Sequence, residues 1–198
     1  MSLSHRELVR RVVILCCSFT RNVAYYRAGW ADEAQPLLSE RNPAEVAFWR
    51  QMNSNSLDTA VLDWCKLFHR QSKHHWRKVV SVPEDFKRRL LAQLDTNEDG
   101  LAALIDKMRE YRDKFVAHLD NKLVMDIPEL SEAHTAVTFY HRYIVEHEAK
   151  PEELVGLPNV QQFALAYDQS IHEAAQIYAA AIDWLHGRRS LIAQSGQR

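Results

Sequence analysis

The chain has 198 residues, 46% of them hydrophobic and 26% charged, a composition typical of an ordinary soluble globular domain. Its net charge of −1 excludes a strong overall attraction to nucleic acid, so any RNA contact has to be local. No apolar run approaches the ~18 residues of a membrane span, and the short run near the start lacks a signal-peptide cleavage site. The three cysteines, Cys16, Cys17 and Cys65, have no metal-ligand spacing and predict a reducing, cytoplasmic environment.

Helix signals recur along the chain, whereas the alternation typical of strands is nearly absent. The scarcity of glycine and proline, with five and six residues, also favours long helices over many turns. The first helix is predicted to begin at Ser4, which can form a capping box with Glu7, and to end at Gly29. A second is predicted to begin with Asn42 as its cap and Pro43 at its first position.

The polar run 53–56 predicts a break in the second helix, which resumes at Leu57. Gly187 is expected to end the last helix. The remaining helices are predicted over 76–80, from 83 onward, over 100–119, over 131–148 and over 159–186. No repeat and no linker divides the chain. We therefore predict an all-α, single-domain bundle of five to seven helices over residues 1–190, with a frayed tail at 191–198.

One polar stretch partly matches a calcium-binding loop. The matching positions are Asp95, Asn97, Asp99, Gly100 and Asp106. However, the twelfth position is Asp rather than Glu, and no second loop of this kind occurs. Asp99 as the N-cap of the next helix is the simpler interpretation.

Histidines form two further groups. The three between positions 69 and 75 lack a thiol or carboxylate at metal-ligand spacing, which favours packing around Trp76. His134 and His141 share a helix face two turns apart, too far for one ion, and are predicted to lie on the surface. The sequence therefore predicts no metal and no cofactor.

The stretch from Met108 to Asp120 departs from its own helical pattern. At 100° per residue, Arg112 falls inside an apolar arc, where a cation must be paired, reach past its stem or face a polar interface. Such departures concentrate at functional sites. His118 lies about 120° round and about 9 Å along an ideal helix from Arg112, so the two converge only if the helix distorts or a second subunit completes the site. The arc contains Leu101, Leu104, Ile105, Met108, Tyr111, Phe115 and Leu119.

The string Arg112-Asp-Lys-Phe-Val-Ala-His118 resembles the signature of the HEPN superfamily, in which an arginine and a polar residue precede a histidine. The fuller string YRDKFVAHLD is similar to the abortive-infection U-type (AbiU-like) branch, as is the upstream block from Leu57 to Val80 with its WCKLF and HHW elements. The two blocks also occur in the same order. One departure is Asp113, because active nucleases of the superfamily often carry Asn there.

This resemblance implies a metal-independent endoribonuclease with Arg112 and His118 as catalytic residues and Arg109, Asp113 and Lys114 as support. RNA carries its own nucleophile, the 2′-OH, and histidine can take a proton near neutral pH. The planar fork of arginine can hold the phosphate as charge builds. The expected products are a 2′,3′-cyclic phosphate and a 5′-hydroxyl.

The resemblance also implies a homodimer with two copies of the motif about a two-fold axis. It suggests a role in phage defence or in a toxin–antitoxin pair, with an antitoxin or a nucleotidyltransferase as partner. The alternative is a non-catalytic HEPN module that binds RNA, a nucleotide or a partner protein. In that case Arg112 pairs with a carboxylate and His118 caps the helix end. The basic clusters at 77–78 and 87–89 are predicted to be solvated helix faces.

Overall fold

The structure, a computed structural model, describes residues 3–35, 37, 43–117 and 127–195. Within these ranges the regular structure is helical and no strand occurs, which confirms the predicted all-α, single-domain bundle. The α-helices are α1 His5–Gly29, α2 Pro43–Phe68, α3 Trp76–Val79, α4 Pro83–Gln93, α5 Glu98–Tyr111, α6 Leu130–Tyr143 and α7 Val160–Ser195. The π-helical segments Arg112–Ala117 and Ile144–Glu148 extend α5 and α6, and a 3-10 turn covers Pro151–Glu153.

Three other helices pack around α1. It begins with the predicted capping box, because the Glu7 amide donates to the Ser4 hydroxyl at 3.3 Å and the Ser4 amide donates to the Glu7 carboxylate at 2.8 Å. It ends at Gly29, also as predicted. α2, α6 and α7 all contact α1. Its fully buried apolar residues are Val9, Val12, Val13, Cys16, Phe19, Val23 and Ala24.

α2 runs without interruption, so the break predicted at 53–56 is wrong. Asn53 is buried against the end of α1. With its amide in the orientation that satisfies both ends, the nitrogen donates to the Tyr26 carbonyl at 3.0 Å and the oxygen accepts from Trp30 Nε1 at 3.3 Å. Gly29 makes room for this contact, since a Cβ there would lie 2.4 Å from the end of the Asn53 side chain. Tertiary hydrogen bonds therefore override the weak helix propensity of the polar run.

Two helix starts can be compared with their predicted caps. α5 is capped by Asn97 rather than by Asp99, because the Asn97 side chain accepts from the Gly100 amide at 2.9 Å. The prediction of Asp99 as the cap was wrong by two residues. α2 begins at Pro43 as predicted, while its predicted cap Asn42 lies outside the described residues.

α7 continues past Gly187 to Ser195, so the prediction that Gly187 ends it is wrong. A glycine ends a helix when it adopts a left-handed conformation, and Gly187 keeps an ordinary negative φ. The helix thus includes 191–195, while 196–198 lie outside the described residues. No helix in the described ranges combines the length and hydropathy that a membrane crossing needs.

Aromatic rings, packed mostly edge to face, fill the side of the core formed by α3, α4 and α6. Phe86 of α4 is fully buried, and the ring centres of Trp76, Phe139, Tyr140 and Tyr143 lie 5.0 to 5.3 Å from its own. Such packing adds to the free energy gained by burial of the rings. It also fixes α4 against α6.

Candidate functional site

The candidate site lies at the C-terminal end of α5, where the HEPN-like motif begins. α5 packs against α2, and its buried residues recur every three or four positions. They are Leu101, Leu104, Met108 and Tyr111. The predicted apolar stripe is therefore confirmed as far as Tyr111, and Arg112 follows it directly.

The two sequence blocks that carry the resemblance are in contact. The hydroxyl of Tyr111 donates to Oδ1 of Asp58 in α2 at 2.9 Å, and Tyr111 itself is 1% exposed. Two turns further along α2, the Cys65 thiol donates weakly to the Met108 carbonyl at 3.8 Å. Neither Asp58 nor Cys65 was predicted to be a site residue. Their membership of the upstream block was the one signal that linked them to the motif.

Burial shifts the titration of the groups at this contact. Desolvation raises the pKa of Asp58, and the hydrogen bond from Tyr111 opposes part of that rise. Burial raises the pKa of the Cys65 thiol to about 11, although the adjacent Arg112 guanidinium opposes part of it. A thiol with this pKa is protonated at neutral pH, so Cys65 is a packing group rather than a nucleophile.

Arg112 is largely buried, with 24% of its side chain exposed. Its Nε and Nη2 atoms donate to Oδ1 of Asp113 at 2.8 and 2.6 Å. Pairing was one of the three outcomes predicted for a cation inside the apolar arc. It also means that a phosphate has to displace the Asp113 carboxylate before it can take both of these donors.

The backbone changes form at the same position. α5 ends at Tyr111, and the segment Arg112–Ala117 is a π-helix rather than the α-helix predicted as far as Leu119. π-Helical turns within α-helices are frequent at functional sites. The ideal α-helical geometry assumed between Arg112 and His118 therefore does not hold here. His118 lies outside the described residues, so its convergence with Arg112 stays a prediction.

The predicted supporting cations are each paired with a carboxylate one turn away. Nη2 of Arg109 lies 3.2 Å from Oδ1 of Asp106, and Lys114 forms an ion pair with Glu110. Such largely exposed pairs contribute little to stability. Together with the Arg112 pair, however, they reduce the positive potential that the motif presents to a phosphate.

Of the three histidines near Trp76, His75 packs against that ring as predicted. His75 is buried, its ring centre lies 4.9 Å from that of Trp76, and its Nδ1 accepts from the Arg77 amide at 3.2 Å. Across the described ranges, no three histidine, cysteine, aspartate or glutamate side chains are grouped so that they could hold a metal ion.

His134 and His141 are covered by α7, so the prediction that they lie on the surface was wrong. His141 is 0% exposed and stacks on Phe163 at 3.8 Å between ring centres, and His134 lies 4.7 Å from the Tyr167 ring. Burial lowers the pKa of both histidines to about 4. They are therefore uncharged at neutral pH and pack as aromatic rings.

A scan against protein-family models found no match to the chain, and searches of curated proteins and of solved structures found none either. The candidate site is therefore defined by its own residues. Those residues are Arg112 with Asp113 and the contacts that α2 makes with the end of α5.

Proposed function

We propose that the chain is a metal-independent endoribonuclease of the HEPN type, in which Arg112 and His118 act on an RNA phosphate. Arg109, Asp113 and Lys114 are the supporting residues. The observation that carries the proposal is the environment of Arg112. Its side chain is 24% exposed where the two motif blocks meet, on a π-helical turn that precedes His118 in the sequence.

In the proposed reaction the 2′-oxygen attacks the adjacent phosphorus and the bond from phosphorus to the 5′-oxygen breaks. His118 takes the proton of the 2′-hydroxyl, and a second histidine returns a proton to the departing 5′-oxygen. Arg112 holds the non-bridging oxygens while negative charge builds on them. The products are a 2′,3′-cyclic phosphate and a 5′-hydroxyl, with no water consumed in this step.

The second histidine leads us to propose a homodimer in which two copies of the motif face one RNA strand. Large apolar side chains are exposed on the described surface, and an interface with another protein molecule would cover them. Trp30, Phe48, Met52, Ile177 and Trp184 are between 45% and 60% exposed. The same proposal includes a cytoplasmic role in abortive infection or in a toxin–antitoxin pair, with an antitoxin or a nucleotidyltransferase as partner.

The chemistry of the products tests this function. The purified protein should cleave end-labelled RNA in excess chelator and leave cyclic phosphate and 5′-hydroxyl ends. His118→Ala should remove the activity, whereas His172→Ala, which changes an exposed histidine of α7, should not. A 5′-phosphate product, or activity that chelator abolishes, would show that the proposed mechanism is wrong.

A second candidate is a non-catalytic helical module that binds RNA, a nucleotide or a partner protein. The pairing of Arg109, Arg112 and Lys114 with carboxylates favours it, because the motif then presents little net charge to an incoming phosphate. The two candidates differ in one result. If wild type and His118→Ala are equally inactive on every RNA tested and indistinguishable in cells, the module is the better description.

A further inference from the structure

A groove of about 500 Å³ lies between α4 and the C-terminal end of α6, on helices that carry none of the motif. Arg88 and Arg89 line it from α4, and Arg142, Tyr143 and His147 line it from α6 and the π-helical segment that follows. The volume is within the range of pockets that hold small ligands. The arginines of α4, predicted to form a solvated face, thus lie beside a third arginine that is distant in sequence.

Arg142 is held in place by neutral groups. Its Nη2 donates to the Gln93 side chain at 3.0 Å, and its guanidinium carbon lies 5.7 Å from the centre of the Phe139 ring. Glu146 also lines the groove, but no described carboxylate lies within ion-pair distance of Arg142. The guanidinium is therefore oriented while most of its five donors stay available to an anion.

Arg88 and Arg89 are held together by one carboxylate. Arg88 Nη2 lies 2.6 Å from Oδ1 of Asp85, and Arg89 Nε lies 2.7 Å from Oδ2. The shared partner cancels one of the two charges and brings the two guanidinium groups close to each other. With Glu146 counted as well, three arginines face two carboxylates, so the groove retains a positive charge.

Aromatic groups complete the groove. The ring centres of Tyr143 and His147 lie 4.6 Å apart, and His147 is exposed. His147 belongs to the π-helical segment Ile144–Glu148, the second such turn among the residues that the structure describes. Guanidinium groups beside an exposed ring are suited to nucleotides, because the forks bind phosphate oxygens and the ring stacks on a base.

We propose that this groove binds the phosphate of a nucleotide, which is either a free nucleoside phosphate or one unit of an RNA strand. Arg142 and Arg89 bind the phosphate oxygens, Arg88 adds positive charge at the rim, and His147 contacts the base. The site is separate from the motif and does not require cleavage at Arg112.

Isothermal titration of the full chain with AMP, with ATP and with a short oligouridine tests the proposal and separates the two sources of phosphate. Arg142→Gln should weaken binding about tenfold, because it removes a charged contact to the anion, and Arg88→Gln should weaken it less, because it removes only positive charge at the rim. Arg21→Gln is the matched control, since it removes one exposed arginine from a different groove, between α1 and α7. It should leave the affinity unchanged.

Binding of AMP or ATP that the groove variants weaken identifies a free nucleotide as the ligand. Binding of the oligouridine alone, weakened in the same way, identifies an RNA strand. The proposal is overturned if no probe binds at millimolar concentration, or if Arg21→Gln loses as much affinity as the groove variants. The Arg88 side chain is 71% exposed, so its substitution tests the charge without disturbing the core. If Arg112→Ala reduces RNA binding and the groove variants do not, the groove proposal fails while the motif proposal stands.

Discussion

The motif at the end of α5 and the groove between α4 and α6 are both rich in arginine, but they use it differently. At the motif, Arg112 is largely buried and donates twice to the carboxylate of the next residue. In the groove, Arg142 is exposed and is oriented by an amide oxygen and an aromatic ring. A phosphate must therefore displace an internal anion at the motif, whereas it meets an unpaired cation in the groove.

This difference shows that a count of cations does not predict where an anion binds. What matters is whether a carboxylate already occupies the donors, because an ion pair in a partly buried position is stronger than one in water. We therefore expect the groove to contribute affinity for phosphate. The motif should contribute chemistry only after Asp113 has been displaced.

The largest expected effect separates the two regions by function. His118→Ala should reduce RNA cleavage by about 10²–10⁴-fold, as is usual for loss of a general acid or base, and Arg112→Ala should reduce it comparably. Neither change should alter the affinity of the groove for AMP. Single-turnover cleavage assays and calorimetry on the same preparations measure both quantities.

Arg142→Gln, in contrast to His118→Ala and Arg112→Ala, should weaken the binding of nucleotide in the groove and leave the cleavage rate at saturating RNA almost unchanged. A loss of cleavage at saturation in this variant would mean that the two regions form one site. Circular dichroism of each variant serves as the control for folding.

The next effect concerns α6, which carries the exposed Arg142, the buried His141 and the partly buried His134. Burial lowers the pKa of both histidines to about 4, below the ordinary 6.5, so the unfolded chain binds protons more readily than the folded one. Their contribution to stability is complete above pH 6.5 and is lost as the pH falls towards 4. The free energy of unfolding should drop by up to about 3 kcal/mol per histidine in this range. Urea denaturation at a series of pH values measures it.

Few charged groups act on the two histidines, so substitution of the histidines themselves tests this prediction. Arg27 and Asp168 act on His134 with opposite signs, and the Pro158 carbonyl lies near His141. His141→Phe should preserve the stacking and reduce the loss of stability in acid. His172→Gln, which changes an exposed histidine, should leave that loss unchanged. Equal acid sensitivity of wild type and His141→Phe would contradict the assignment to His141.

The sequence predicted the features that depend on local rules. The capping box of Ser4 and Glu7 and the apolar stripe as far as Tyr111 were correct, since both depend on spacing along one helix. The break at 53–56 was wrong because the partners of Asn53 lie at the C-terminal end of α1, far away in sequence, where a local pattern cannot reveal them.

The site was predictable only in part for the same reason. A cation in an apolar arc indicated Arg112, but the π-helical turn and the contact with Cys65 depend on how α2 packs against α5. The groove was missed because Arg88 and Arg142 become neighbours only through the aromatic packing of α4 on α6.

A smaller effect tests the role of Asp113 directly. Asp113→Asn should strengthen RNA binding about three- to tenfold at low salt, because it removes a negative charge that competes with the phosphate for Arg112. Filter binding over a salt series measures this change. Asp106→Asn is the matched control, since it frees Arg109 in the same way. If both variants strengthen binding equally, the effect is one of net charge and Asp113 has no special role.

The smallest expected effect concerns the link between the two motif blocks. Tyr111→Phe removes the hydroxyl that donates to Asp58 at 2.9 Å and keeps the buried ring, so it should reduce the free energy of unfolding by about 1 kcal/mol. Burial already raises the pKa of Asp58, and loss of the hydrogen bond should raise it further. The folded state then disfavours the charged carboxylate more strongly. The free energy of unfolding that Tyr111→Phe loses should therefore be larger at neutral pH than at a pH where Asp58 is protonated. In an Asp58→Asn background the charge is absent, so the pH dependence of the loss should disappear.

Because Tyr111 immediately precedes Arg112, a fall in cleavage rate without a change in RNA affinity would show that the link positions the arginine. An unchanged rate would show that its role is confined to stability.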